Sequence, residues 1–274
     1  MALMKASLFV TTYEMPRHLA LVLAGIQRQT LKDFELFLCD DGSGAETKRV
    51  IQEFQEKVSL FRTQHIWQVH QGFRKCRILN QALLKAQGEV AIFLDGDCIP
   101  HPAFVQDHVE GQTQGFYLAG RRVELGELFS DQLTPALIAE GFLDYPRSSF
   151  IFSALRQETQ HFNRSIRIPF PKVRALLGMN RIADLKGCNY SLPRAVLEEI
   201  NGFDESYEGY GREDTDVEVR LQNLGLQIKS MKGVALQFHV WHPRREFTEA
   251  NEELLQAVKR TGRVYALKGL RSHS

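Results

Sequence analysis

No apolar run in this 274-residue chain approaches the roughly twenty residues needed to cross a bilayer, so a membrane-spanning helix is not expected. The opening MALMKASLFVTTYEMP has too short an apolar run, and turns polar too early, for a secretory leader, which points to the cytoplasm. Cysteine is scarce. Cys39, Cys76, Cys98 and Cys188 are scattered without a CxxC pair, which favours reduced thiols over a disulfide frame or a zinc site. Excess charge is also missing: 34 Lys and Arg meet 33 Asp and Glu, a net +1, so no global field recruits nucleic acid. There is no internal repeat and no low-complexity tract, and the absence of a GxxxxGK[ST] loop disfavours kinase-type chemistry. What is present is a 43% hydrophobic share, ample for the core of one large α/β domain or a core domain with an appendage.

Ala6-Ser-Leu-Phe-Val-Thr-Thr12 is an apolar, β-branched run that stops at Tyr13-Glu-Met-Pro16 and reads as a buried strand. Pro16 suits a first helical turn, after which Leu19, Val22, Leu23 and Ile26 recur at helical spacing. A second strand, Phe34 to Cys39, ends in the turn-forming Asp40-Asp-Gly-Ser43. The pattern then predicts a helix from about Glu46 to Lys57, a short strand at Ile66–Val69 and a helix from Arg74 to Ala86 capped by Gly88. The apolar strand Val90–Leu94 follows and stops at Asp95-Gly-Asp97. Strands alternating with helices predict a mostly parallel sheet with crossover helices, whose ligand crevice lies beyond the carboxyl ends of the strands. Three of those ends carry Thr11-Thr12, Asp40-Asp41 and Asp95 with Asp97.

Residues 125–181 lose regular periodicity. From Arg147 to Arg181 seven basic residues face a single acid, Glu158. The order returns with a strand at Gly187–Leu192, a helix from Pro193 to Ile200 ending at Asn201-Gly202, and a helix opened by Tyr207-Glu-Gly-Tyr-Gly-Arg-Glu-Asp-Thr-Asp216. A last strand near Val234–Val240 runs into Trp241-His-Pro-Arg244 and a C-terminal helix. This divides the chain into a first half (1–124), a variable basic insert (125–182) and a second half with a C-terminal helix (183–274).

Asp95 and Asp97, separated by a permissive glycine at a strand end, can turn to one point and attract Mn²⁺ or Mg²⁺, which fills its shell with phosphate oxygens. A plain solvated turn is the other reading. Asp40 or Asp41 can accept hydrogen bonds from a base edge such as the uracil imide, or simply form an Asx turn before Gly42. Arg74, Lys75 and Arg77 open a helix and suit a diphosphate; a solvated face is the alternative for at least one, and we assign the contact to Arg74. In Glu213-Asp214 a carboxylate base can meet an acceptor hydroxyl, with Asp214 as base and Glu213 binding the acceptor. The same acids would also favour a helix N-terminus. Gly209 and Gly211 suggest a mobile loop, and Tyr207 and Tyr210 offer faces for a sugar ring. His239 and His242 are candidate ligands for a Mn²⁺-type ion, provided the strand ends between them, which Pro243 favours.

Together these residues resemble the family 2 glycosyltransferases with their GT-A fold. Phe9-Val-Thr-Thr-Tyr13, Phe37-Leu-Cys-Asp-Asp-Gly-Ser43 and Gly88-Glu-Val-Ala-Ile-Phe-Leu-Asp-Gly-Asp-Cys-Ile-Pro100 are similar to its opening, base-holding and DxD strands. Gly187-Cys-Asn-Tyr-Ser, Asn201-Gly-Phe-Asp204 and Gly209–Asp216 resemble the galactosyltransferase and chondroitin-polymerase branch. The resemblance implies a UDP-sugar or related nucleotide-diphosphate donor held near Thr11, Tyr13, Asp41 and Asp95, and an acceptor near Tyr210, Gly211 and Trp241. It also implies Asp214 as base, late metal ligands at His239 and His242, and inversion at the anomeric carbon. Many relatives have Arg-Asn where this chain has Leu79-Asn80, and Arg77 is the expected stand-in.

Two other readings compete: a catalytically silent nucleotide-sugar-binding scaffold, and a nucleotidyltransferase, which would want a Gly-rich basic loop where Thr11–Pro16 stands. The basic insert, with Phe150, Ile151, Phe152, Leu155 and Phe162 interspersed, suits peripheral docking on anionic lipid, and equally a solvated or acceptor-binding face. A lipid-linked or lipopolysaccharide glycan made on the cytoplasmic side is the expected acceptor.

Overall fold

A computed structural model describes residues 4–243 and 246–272; Arg244, at the end of the Trp241 segment, lies outside them. The strands are β1 (Ala6–Thr12), β2 (Phe34–Asp40), β3 (Thr63–Trp67), β4 (Val90–Asp95), β5 (Cys98–Pro100), β6 (Phe116–Ala119), β7 (Val123–Glu124), β8 (Asn189–Pro193), β9 (Gln227–Ser230) and β10 (Gln237–His239). Helices α1 (Pro16–Gln27), α2 (Ala45–Lys57), α3 (Lys75–Leu83) and α4 (Phe104–Gly111) belong to the first half. Four short ones follow, α5 (Glu127–Asp131), α6 (Pro135–Ala139), α7 (Ser148–Leu155) and α8 (Pro171–Leu176), then α9 (Arg194–Glu199), α10 (Glu213–Asn223) and α11 (Ala250–Thr261).

Seven strands form one sheet in the order β3-β2-β1-β4-β8-β6-β9, and three form a second, β5-β10-β7. β3, β2, β1 and β4 are parallel, while β8 runs antiparallel to both β4 and β6. Alternation along each strand divides the core into two layers. Leu8, Val10, Leu36, Leu38, Ile92 and Leu94 join α1 and α2 in one layer. On the other face Phe9 stacks on Phe37 and Phe93, with ring centroids 5.2 and 5.1 Å apart, and Phe93 continues onto Tyr190 at 4.4 Å. This aromatic row ties four neighbouring strands together through cross-strand pairs.

Several boundaries differ from the sequence reading. The third strand ends at Trp67, and the last covers only Gln237–His239. Helix α3 stops at Leu83, so Gly88 is not its cap. Instead the Gly88 N–H donates to Ser7 Oγ at 3.0 Å, and a Cβ there would lie 2.2 Å from the Ala6 carbonyl carbon. The chain is glycine at 88 because it passes flush against β1. Phe150 is buried against Phe129 and Phe238, so it is a core residue and not part of a lipid-facing surface. Among the described residues no helix is long and apolar enough to cross a membrane.

Candidate active site

A cleft of about 1340 Å³ opens beyond the carboxyl ends of β1, β2 and β4. Thr11, Tyr13, Asp41 and Asp95 line it. Asp41 is buried, and its carboxylate accepts the Arg74 backbone N–H at 2.8 Å and Gln68 Nε2 at 2.5 Å. Tyr13 stacks on His70 with centroids 4.1 Å apart. Asp40, by contrast, turns away from the cleft: His65 Nε2 and the Ser43 N–H engage its two oxygens at 3.0 and 2.8 Å. Although burial works to raise it, His65 and Ser43 hold the Asp40 carboxyl below its ordinary value.

Of the basic residues that open α3, Lys75 lines the cleft and Arg74 and Arg77 do not. The Arg74 guanidinium folds back onto the Val69 carbonyl (2.5 Å) and Gln71 (2.8 Å), and Arg77 stands exposed off the cleft. Leu79 is buried. Lys75 enters instead, its Nζ 2.8 Å from Asp95 Oδ1, while Thr11 Oγ1 donates to the same oxygen at 2.9 Å. Burial alone would depress the Lys75 ammonium, but Asp95, Glu213 and Asp214 outweigh it and hold the pKa well above the ordinary lysine value.

The two carboxylates of Asp95-Gly-Asp97 part company: Asp95 faces Lys75, whereas Asp97 faces two histidines. Strand β10 ends at His239, and the turn beyond it brings His242 round so that the two Nε2 atoms are 3.2 Å apart. Asp97 Oδ2 lies 3.1 Å from His242 Nε2 and 3.8 Å from His239 Nε2. His239 Nδ1 is 2.9 Å from Glu124, and His242 Nδ1 is 2.8 Å from the Pro243 carbonyl. With each Nδ1–H donating outward, the neutral rings direct two lone pairs at a carboxylate oxygen. Three acceptors within 4.8 Å of one another suit a divalent cation, and one carboxylate with two imidazoles fits a Mn²⁺-type ion. Burial works to raise the Asp97 carboxyl; with the rings protonated instead, His242 and His239 would hold it below its ordinary range. Asp95 is not among the three converging ligands.

On the facing wall, Asp214 and Glu213 open α10. Asp214 Oδ2 accepts the Gly187 N–H at 2.9 Å and Oδ1 the Thr215 N–H at 2.8 Å. Glu213 accepts the Gly211 N–H at 3.1 Å. Burial, opposed by Lys75 and aided by Asp214, pushes the Glu213 carboxyl above its ordinary value. Asp216 serves the fold, pairing at 2.8 Å with the fully buried Arg220, which also donates to the carbonyls of Ile200 and Gly202. Tyr207 is buried and bonded to Asp216, so of this pair it is Tyr210 that offers a ring to the cleft. The 209–211 loop is pinned: Asn251 Nδ2 donates to both the Gly209 and Gly211 carbonyls, and a Cβ on Gly211 would lie 2.4 Å from the Phe247 ring. Trp241 lines the cleft, its backbone N–H donating to Ser130 Oγ at 3.0 Å.

The model of the family described as Glycosyl transferase family 2 matches residues 7–174. The chain belongs to that family. A second family model, the N-terminal domain of galactosyltransferase, matches residues 172–243 of this family 2 chain. The chondroitin synthase of Escherichia coli is 24% identical over 252 residues, covering 88% of this chain and 35% of its own length. The chain thus spans about a third of that relative, and 52% of a Streptomyces hygroscopicus validoxylamine A glucosyltransferase that is 26% identical over 229 residues. A solved structure of the mannosyltransferase PcManGT from Pyrobaculum calidifontis, in complex with GDP-Man and Mn²⁺, superposes with a TM-score of 0.60 at 14% identity, covering 94% of this chain and 62% of that one. At that identity the likeness shows the fold, which is GT-A.

In this family 2 chain the sequence reading had no signal for the far wall of the cleft, where Arg121, Arg122, Arg164 and Lys186 gather. It also missed Glu124, the partner of His239. Apart from Arg164 they flank the irregular 125–181 stretch, and no motif singles them out.

Proposed function

We propose that this family 2 member moves a hexosyl group from a nucleotide-diphosphate sugar, with UDP as the favoured nucleotide, onto a hydroxyl of a glycan or glycolipid, inverting the anomeric centre. One observation carries the reading: the Asp97, His239 and His242 donors and the Asp214 carboxylate line one cleft at the carboxyl end of a parallel sheet. Asp41 accepts from the base edge and Tyr13 covers the base. Lys75 and Asp95 meet the ribose and diphosphate. Asp97, His239 and His242 hold Mn²⁺ or Mg²⁺, which supplies positive charge for the leaving diphosphate. Asp214 takes the proton from the acceptor hydroxyl as that oxygen attacks C1, while Glu213, Tyr210, Gly211 and Trp241 orient the acceptor. Direct displacement by a single attacking oxygen inverts the carbon.

The apolar surface of α7 and α8 supports a lipid-side location. Phe152, Leu155, Phe170 and Leu176 are each more than half exposed, amid Arg156, Lys172 and Arg174. We assign this surface to an anionic membrane, in keeping with a lipid-linked acceptor.

A thermal-shift series with nucleoside diphosphates, with and without Mn²⁺, tests the donor assignment. Stabilisation by one nucleotide that disappears on chelation is expected; indifference to every nucleotide would sink it. Asp214→Asn should keep that response and lose transfer.

A further inference from the structure

The cleft is electrically divided. Asp95, Asp97, Glu213 and Asp214 line one part of it, while Arg121, Arg122, Arg164 and Lys186 line another. Beyond the basic part lies a separate cavity of about 240 Å³, and Arg121 and Arg164 line both spaces, so their side chains stand between them. Lys232 completes the basic lining of the smaller cavity, with Leu177, Met179 and Met231 supplying apolar surface.

The fold balances these cations only in part. Asp184 is shared between Arg121 and Lys186, and Glu124 answers Arg122. Arg164 and Lys232 have no carboxylate within 4.0 Å among the described residues; Arg164 donates to the Arg122 carbonyl and Lys232 to the Arg181 carbonyl. Burial first, and then repulsion from Arg121, pushes both below their ordinary pKa values. Holding like charges together in a half-buried wall is unfavourable, and an anion placed among them would remove the cost. Two guanidinium groups with an ammonium beside them match a planar or tetrahedral oxyanion.

We propose that Arg121, Arg164 and Lys232 form a subsite for an anionic group, a phosphate or a carboxylate, carried by the acceptor. This deepens the transfer reading and rests on it for the word acceptor, but the anion site itself stands on the geometry alone. The apolar lining beside the cations favours a phosphate attached to a hydrocarbon chain, and a uronic acid would satisfy the same cations. The subsite thus selects acceptors by charge, while Asp214 acts on their hydroxyl.

The test is calorimetric titration of the full chain, in EDTA, with three probes: hexyl phosphate, glucuronate and uncharged hexyl glucoside. At least one anion should bind and the glucoside should not. Arg164→Gln and Lys232→Gln should each weaken that anion about tenfold or more, the loss of one charge-assisted bond. The response to nucleoside diphosphate with Mn²⁺ should be unchanged in both variants. Equal binding of the glucoside, or anion affinity within about twofold of the parent in a folded variant, overturns the subsite. So does loss of the nucleotide response, which would assign the cations to the donor. Lys232 is at the surface, so its variant keeps the test valid should Arg164→Gln not fold. A parent chain that ignores every nucleotide yet binds the anion would overturn the transfer reading and leave the subsite standing.

Discussion

Glu124 lies 2.9 Å from His239 Nδ1, and that contact decides which nitrogen of the ring faces Asp97. With the proton held on Nδ1, Nε2 is left as a ligand. Glu124→Gln should therefore weaken Mn²⁺ binding about 10- to 100-fold without removing a ligand. Titration of the Mn²⁺ EPR signal reads the effect directly, and an unchanged affinity would mean the ring is oriented by something else.

Lys75 is the cation among Asp95, Glu213 and Asp214, with only 14% of its side chain exposed. Lys75→Met leaves those carboxylates facing one another, which should cost about 3 kcal/mol of stability at neutral pH. The loss should shrink as the pH falls, because the folded variant then takes up protons that relieve the repulsion. Urea unfolding at pH 7 and pH 5 checks both the size and the sign.

How much of this was legible beforehand differs from residue to residue. The strands and the acids at their ends could be read because strand termini in a parallel sheet share one edge, and the paired histidines because they follow an apolar strand that Pro243 ends. Side-chain direction was harder, although the signals existed. Lys75 shares the spacing of Ile78, Leu79 and Ala82, the buried stripe of α3, whereas Arg74 lies about 100° away round the helix. Asp41 keeps the parity of Phe37 and Cys39, and Asp40 that of Leu36 and Leu38, so the two acids were bound to face opposite layers. The arginine wall was not legible, since it forms only when β7, the segment before α8 and the loop before β8 come together in three dimensions.

His108 gives the fold its own pH dependence. Its ring is fully buried between Ser191 Oγ and Asn189 Oδ1, at 2.9 and 3.0 Å, and burial lowers its pKa from 6.5 to about 4. The unfolded chain binds the proton more readily, so stability is full above pH 6.5 and declines as the pH falls toward 4. About 2 kcal/mol should be lost between pH 7 and pH 5. A His108→Gln variant should lack that slope in denaturant titrations.

Asn251 holds the 209–211 loop, bonded at 3.3 and 2.8 Å to the Gly209 and Gly211 carbonyls. Asn251→Ala should cost about 2 kcal/mol and raise the acceptor KM, while nucleotide-induced stabilisation stays as in the parent. A change confined to the donor KM would place the loop on the wrong side of the reaction.

Leu176→Glu with Phe170→Glu should abolish co-sedimentation with vesicles containing anionic lipid. Retention on those vesicles would remove α8 from the membrane contact.

In the small sheet His239 sits between Cys98 on one side and Glu124 on the other, and the Asp97 carbonyl accepts the Val240 N–H at 2.8 Å. Glu124 and His239 are thus spaced by backbone pairing, and the turns that carry Asp97 and His242 adjoin β5 and β10 of the same sheet. A slip of one residue in β10 would turn His239 to the opposite face and part it from Glu124 and Asp97 together. The three strands set the spacing of the candidate ligands. The irregular segment that follows β7 is therefore free to change only where it leaves Val123 and Glu124 on the same rungs.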